Sequence, residues 1–182
     1  MRYHDGKIII NGLLLMIPFL LIRFGLLSAL NKAAVKRAAL FAPMDGKEMI
    51  AYWIYQISNI AIFVYVCFLK VSIDTSGLFY VGAGIYLSGL LLCAVSIKDF
   101  AMPANKEMND NGVYRFSRNP MYVAYFLIFS GTALLTKSWI LFGIVIIFQV
   151  SAHWVIIAEE RWCIEQFGES YRQYMKKVRR YI

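Results

Sequence analysis

The residues best equipped for chemistry lie at two junctions. One is Gly112-Val113-Tyr114-Arg115-Phe116-Ser117-Arg118-Asn119-Pro120-Met121-Tyr122, a polar, basic, aromatic loop that runs into an apolar stretch. The other, about forty residues later, is Glu159-Glu160-Arg161 at the end of the following apolar stretch. A carboxylate at a helix end can accept from an ammonium or a hydroxyl, and an arginine can grip a carboxylate through two parallel N–H bonds. Tyrosine faces stack on flat rings or meet cations. Pro120 suits a helix N-terminus, where its missing N–H costs nothing, and the free amides there can bind an anion.

The elements that must hold these residues are membrane helices. Hydrophobic residues are 60% of the 182 and charged residues 16%, against about 45–50% and 25% in soluble domains. Mean hydropathy is +0.58. A chain of this length cannot hide so much apolar surface in a globule. Five apolar stretches stand out, over 8–30, 49–68, 78–95, 118–135 and 139–158, the first interrupted by Asn11 and Arg23. The short link Thr136-Lys137-Ser138 makes the last two a tight antiparallel hairpin. Strands are not expected, because the runs are long and do not alternate. The expected fold is all-α: one polytopic membrane helical bundle over 1–182, with about five transmembrane helices, a C-terminal helical hairpin and a cytoplasmic tail.

Charge orients this bundle. The 31–48 loop, the 96–120 loop and the C-terminal tail carry fourteen Lys and Arg, against four on the opposite side (Arg2, Lys7, Lys70 and Lys137). By the positive-inside rule the N-terminus is outside and the C-terminus cytoplasmic. The net charge of +8 then faces anionic lipid headgroups. Nucleic acid is not an expected partner, since no soluble domain exists to carry a groove, and no metal is expected. The basic residues after the first span argue that it is retained rather than cleaved as a signal peptide. The 31–42 stretch reads as a basic interfacial helix, with Val35, Leu40 and Phe41 able to dip into lipid. Pro103, Asn109, Asp110, Asn111 and Gly112 deny the 97–120 loop a long helix. Cys67, Cys93 and Cys163 give no disulfide framework; Cys163 reads as a partly buried thiol, with palmitoylation as the alternative.

Ionisable groups at membrane depth are functional candidates by default. Arg23 lies seven residues before the inner end of span one and can snorkel to the headgroups or serve a site. Gln149, His153 and Glu160 share one helical face, and His153 reads as a hydrogen-bonded bundle residue. Glu159 and Glu160 point about 100° apart. Val155 and Ile156 lie below Glu159, so Glu160 is expected to face a pocket and Glu159 to pair with Arg161 or loop arginines. Gly82-Ala83-Gly84 reads as a close-packing notch or a weak ligand signal.

The order Gly-x-Tyr-Arg-x-x-Arg-x-Pro-x-Tyr, then Glu159-Glu160, then Phe167-Gly168-x-x-Tyr171-x-x-Tyr174, resembles the integral membrane methyltransferases. These include the isoprenylcysteine carboxyl methyltransferases and the phospholipid N-methyltransferases. The resemblance covers about 112–180. It implies S-adenosyl-L-methionine as methyl donor, bound on the cytoplasmic side within 97–182. It implies Arg118 and Glu160 as catalytic residues, and Tyr114, Asn119, Pro120, Tyr122, Glu159, Glu160 and Tyr171 around the donor. The acceptor it implies is lipid-like and enters laterally from the bilayer, a prenylcysteine-type carboxylate first and a phospholipid amine second. One departure stands out: the family pattern reads Arg-His-Pro where this chain has Arg118-Asn119-Pro120. Two other readings stay open, an NADPH-dependent membrane reductase with a similar Arg-His-Pro-x-Tyr element and a non-enzymatic membrane adaptor.

Overall fold

The computed structural model describes residues 2–4, 7–102 and 108–182. Pro103 and Lys106 of the long loop lie outside the described residues. Two strands open the chain, β1 (Arg2–His4) and β2 (Lys7–Asn11), and β3 (Lys70–Ile73) joins them in a three-stranded antiparallel sheet of order β1-β2-β3. The expectation of no strands is corrected here. Ile8, Ile9 and Ile10 pair with Ile73, Ser72 and Val71, as β-branched residues favour. The first span therefore starts at Gly12, not at residue 8. Asn11 caps it, accepting from Leu13 N at 2.8 Å while its amide donates to Cys67 O at 3.0 Å.

That first span, Gly12–Leu30, has four parts. A 3-10 turn (Gly12–Leu15) leads into α1 (Met16–Leu20), a π-helix (Leu21–Leu26) and α2 (Leu27–Leu30). Asn31 then caps α3 (Lys32–Ala39), accepting from Ala33 N and Ala34 N. A basic helix thus forms within the 31–42 stretch, and Leu40 and Phe41 beyond it are exposed; the expectation that Val35 dips into lipid is corrected, since Val35 packs on the core. Three long helices follow, α4 (Lys47–Val66), α5 (Gly77–Ala101) and, after α6 (Pro120–Leu135), α7 (Trp139–Phe167). The amphipathic α8 (Glu169–Lys177) ends the set.

This is an integral membrane protein. The first span, α4, α5 and α7 are long and apolar enough to cross a bilayer. With 16 residues, α6 rises only about 24 Å, short of a bilayer core of about 30 Å. It is the innermost helix, buried over most of its length. A Cβ on its Gly131 would stand 2.6 Å from Tyr86 N of α5, and one on Gly89 of α5 would stand 2.8 Å from Ile128 N of α6. Gly82 likewise faces Leu134 and Leu135, whereas Gly84 has open space. The expected notch is thus a packing notch, carried by Gly82. Phe129 meets Phe19, Phe63 and Phe148 edge-on through the middle, Phe19 and Phe63 are tilted against each other, and Tyr55 stacks on Phe148 at 4.9 Å.

The connections sort to two ends. The sheet and the 136–138 link share one end, where Lys137 Nζ pairs with Asp74 at 2.8 Å; that ion pair holds the Asp74 carboxyl well below its usual range. α3, the 112–119 loop and α8 share the other. Here α7 runs on past the expected boundary at 158, seven residues beyond Glu160, to Phe167. Gly168, at φ +58°, makes the sharp turn into α8 in a backbone region that residues with a Cβ avoid.

Candidate active site

The loop before α6 is fixed first. Gly112 has φ +52° and lies against Asp99, whose Oδ2 accepts from Val113 N at 2.9 Å. Asp99, near the end of α5, thus pins the return of the long loop. A 3-10 turn over Gly112–Arg115 buries Tyr114. Asn119 then leaves the helical backbone, at φ −130° and ψ 53°, and Pro120 begins α6.

The end of the chain folds back onto this loop. Ser117 bridges Arg179 in parallel, and Arg118 N donates to Arg179 O at 2.9 Å. Tyr174 on α8 donates to the carbonyl of Tyr114 at 2.6 Å. Tyr171 and Tyr174 are buried, with ring centres 5.7 Å apart. Burial pushes the phenols of Tyr114, Tyr171 and Tyr174 well above their usual range.

Glu160 is the centre of the closure. It is 4% exposed. Its Oε1 takes Arg118 Nε at 2.9 Å and Nη2 at 2.8 Å. Its Oε2 takes Arg180 Nε at 3.1 Å and Nη2 at 2.8 Å. Arg118 Nη1 donates onward to the carbonyls of Met175 and Val178, so four of the five guanidinium hydrogens are engaged. The Asn119 amide donates to Arg180 O at 3.2 Å and to Glu160 Oε1 at 3.4 Å. Hydrogen bonds to Glu160 raise Arg180 above its usual value. The result is a clasp of one carboxylate between two guanidiniums, joining loop, α7 and tail.

Glu159 stands apart from it. It is half-buried, and its Oε1 accepts from Tyr122 of α6 at 3.1 Å. Oε2 has no hydrogen-bond partner among the described residues. The expected pairing of Glu159 with Arg161 or a loop arginine is corrected: Arg161 turns the other way and grips Glu48 of α4 in a two-pronged bond at 2.6 and 2.7 Å. The reason is the 100° offset, which aims residue 159 into the bundle beside the fully buried Val155 and Ile156. Glu160, expected to face a pocket, has both oxygens occupied. Tyr122 is backed by Tyr55 and Tyr125, each with its ring centre 6.2 Å away.

Of the sequence-derived candidates, the structure brings Arg118, Asn119 and Glu160 into one cluster, and Tyr122 and Glu159 into a second on the same pair of helices. Pro120 is buried at their shared helix start. Tyr114 and Tyr171 line the α8 side. Arg180, seen in the sequence only as tail charge, completes the clasp. The hydroxyl of Tyr181, also in the tail, is 2.7 Å from His153 Nδ1, the hydrogen bond expected of that histidine. Nothing local in the sequence marks either residue; only the folded-back tail does. An open cleft of about 340 Å³ beside α8 is lined by Met108, Asp110, Phe167, Ser170, Gln173, Tyr174 and Lys177 and includes neither glutamate.

Over 113 residues the chain is 31% identical to a protein-S-isoprenylcysteine O-methyltransferase of Schizosaccharomyces pombe (strain 972 / ATCC 24843), covering 58% of this chain and 47% of that protein. The chain thus spans about half the length of the curated relative it matches. No solved structure matches it. The family model for phospholipid methyltransferases matches residues 77–170, from the start of α5 into α8 and through both glutamates, and the chain belongs to that family.

Proposed function

We propose that this chain is an S-adenosyl-L-methionine-dependent methyltransferase of the membrane, acting on a lipid-like acceptor carboxylate of the prenylcysteine type at the cytoplasmic face. The observation that carries the reading is Glu159: a carboxylate held by Tyr122, with one oxygen uncommitted, inside the family-matched stretch. The donor has an ammonium, ribose hydroxyls, an adenine and a sulfonium. A half-buried carboxylate suits its hydroxyls or ammonium, and the tyrosine faces beside it suit a flat ring or a cation. The residues present therefore fit the donor. When bound, it supplies a methyl group activated by positive sulfur.

The chain's own residues have three tasks in this reading. Glu159 and Tyr122 hold the donor's polar groups, with free amides at the start of α6 and the walls of Tyr114 and Tyr171. Arg118, Glu160, Asn119 and Arg180 hold the tail against the loop and so keep water from the site, where alignment and a fixed electrostatic setting do the work. The lipid-facing helices admit the acceptor's apolar tail sideways. A carboxylate acceptor is already ionised and needs no base. The relative's name favours that acceptor. The family description favours a second reading, a phospholipid amine, whose proton must first leave; Glu159 is the carboxylate available to take it.

Calorimetry on the purified protein in nanodiscs tests the donor. S-adenosylhomocysteine binds, NADPH does not, and Glu159→Gln weakens the former. Binding of NADPH alone would move the chain to a reductase, and binding of neither would leave it without this activity. Methyl transfer to a farnesylated cysteine against phosphatidylethanolamine then decides the acceptor.

A further inference from the structure

Arg23 sits in the first span, outside the family-matched residues 77–170. It lies in the π-helix Leu21–Leu26, and such turns are rare and concentrate at functional sites. Its guanidinium is half-buried and lies 5.9 Å from the ring centre of the exposed Phe24 beside it. It stands 5.9 Å from the ring centre of Tyr125, a buried residue of α6. Nη2 donates to Ala38 O in the last turn of α3 at 3.2 Å, where a cation favours the helix end. Nη1 is buried and has no partner among the described residues. Among those residues, no carboxylate lies within ion-pair distance of it.

Buried polar groups are almost always paired, and each exception calls for a cause. Capping α3 occupies only one of five N–H donors. The remainder is an uncompensated positive charge within the bundle. Tyr125 links it to the candidate site: its ring is 6.2 Å from that of Tyr122, which binds Glu159. On the outer side, Leu20, Leu21 and Phe24 are exposed toward lipid, so a chain in the bilayer can lie beside the span that carries Arg23.

We infer that Arg23 binds the anionic head, a carboxylate or a phosphate, of an amphiphile whose tail stays in the bilayer. This assigns the acceptor side of the site to the first span and the donor side to α6 and α7. It deepens the proposed function but stands on Arg23's own geometry, and its test needs no methyl donor.

Full-length protein in neutral phosphatidylcholine nanodiscs is titrated with oleate, with lysophosphatidate and with oleyl alcohol as the uncharged reference. At least one anion binds on the order of tenfold or more tighter than the alcohol, as charge-assisted hydrogen bonds require. Arg23→Gln abolishes that margin and leaves alcohol binding unchanged. Arg23→Lys keeps the charge but loses the planar fork, and drops anion affinity several-fold. Preference for oleate marks a carboxylate acceptor, and preference for lysophosphatidate marks a phospholipid head. Equal binding of anions and alcohol by the wild type, or unchanged anion binding in Arg23→Gln, overturns the inference and leaves Arg23 as the cap of α3. Should Arg23→Gln fail to fold, Arg23→Lys decides: unchanged anion affinity there refutes the site. Failure of this titration leaves the calorimetry on the donor untouched, so the two readings fail separately.

Discussion

Replacing Glu160 with glutamine removes one charge and almost no volume, and it leaves Arg118 and Arg180 facing each other. Side-chain exposure is 8% for Arg118, 5% for Glu160 and 32% for Arg180. Breaking a buried pair by removing one partner costs about 3–5 kcal/mol, because the other charge stays buried and unpaired. Arg118 meets that condition. Arg180 does not, and as a partly exposed partner it contributes about 1 kcal/mol or less. The loss falls on the closure and not on the bundle, whose core of Phe129, Val145 and Phe148 is remote from the charge. A penalty of about 3 kcal/mol shifts the open fraction of the tail roughly a hundredfold. Limited trypsin digestion reads this directly, since Lys176, Lys177, Arg179 and Arg180 offer sites and cleavage tracks the open population when reclosing is fast. Glu160→Gln is cut in the tail roughly a hundredfold faster, with the bundle intact, whereas Arg180→Met gains tenfold at most. Equal tail protection in Glu160→Gln and wild type, or an equal effect of Arg180→Met, would refute the clasp.

Other consequences are as specific. Gly131→Ala places a methyl 2.6–2.7 Å from the Tyr86 backbone and lowers stability by about 1–3 kcal/mol, seen as a lower melting temperature in detergent; Gly84→Ala, in open space, does not lower it. Tyr122→Phe deprives Glu159 of its donor and weakens S-adenosylhomocysteine binding on the order of tenfold; unchanged calorimetry would remove Glu159 from the donor site. The raised phenols of Tyr114, Tyr171 and Tyr174 favour the neutral form in the folded state. Their contribution is whole below the ordinary phenol value near 10 and is lost as pH rises beyond it. Tail protection is therefore flat from about pH 6 to 9 and falls above about 10. Tyrosinate absorbance followed across that range checks this, and early ionisation of all tyrosines would contradict it.

The bundle was largely legible because membrane helices announce themselves by apolar length. What that signal hid was local. Ile8-Ile9-Ile10 is β-branched and continuous with span one, so apolar length alone absorbs it; only Asn11, which caps the helix, marks the change. The charged residues near the end of α7 look like a boundary, yet the helix continues to Phe167 because those charges find partners, as Glu160 and Arg161 do. The 100° offset of adjacent helical residues puts the two glutamates on different faces, but their duties depend on groups far along the chain. Arg180 lies 20 residues and Glu48 more than 100 residues from α7's acidic pair. No periodicity encodes such contacts. Arg23 is visible as a charge at depth, but its contacts with Ala38 and Tyr125 depend on how α3 and α6 pack around it, which no sequence period encodes.

Asn119 carries the family's departure, and its geometry gives it a specific consequence. Its amide donates twice, to Arg180 O and to Glu160 Oε1. A neutral imidazole offers one N–H, and an imidazolium offers two but would sit against two guanidiniums. Asn119→His therefore keeps one of the two bonds and loses the other, at about 0.5–1.5 kcal/mol, so tail cleavage rises by up to roughly tenfold. Donor affinity stays unchanged, because the side chain is committed to the tail and only the backbone at 119 adjoins the start of α6. If histidine instead tightens donor binding and leaves the tail as protected as before, the Asn119 side chain belongs to the donor site and the clasp does not depend on it. The same digestion and calorimetry that test Glu160 and Tyr122 decide between these outcomes.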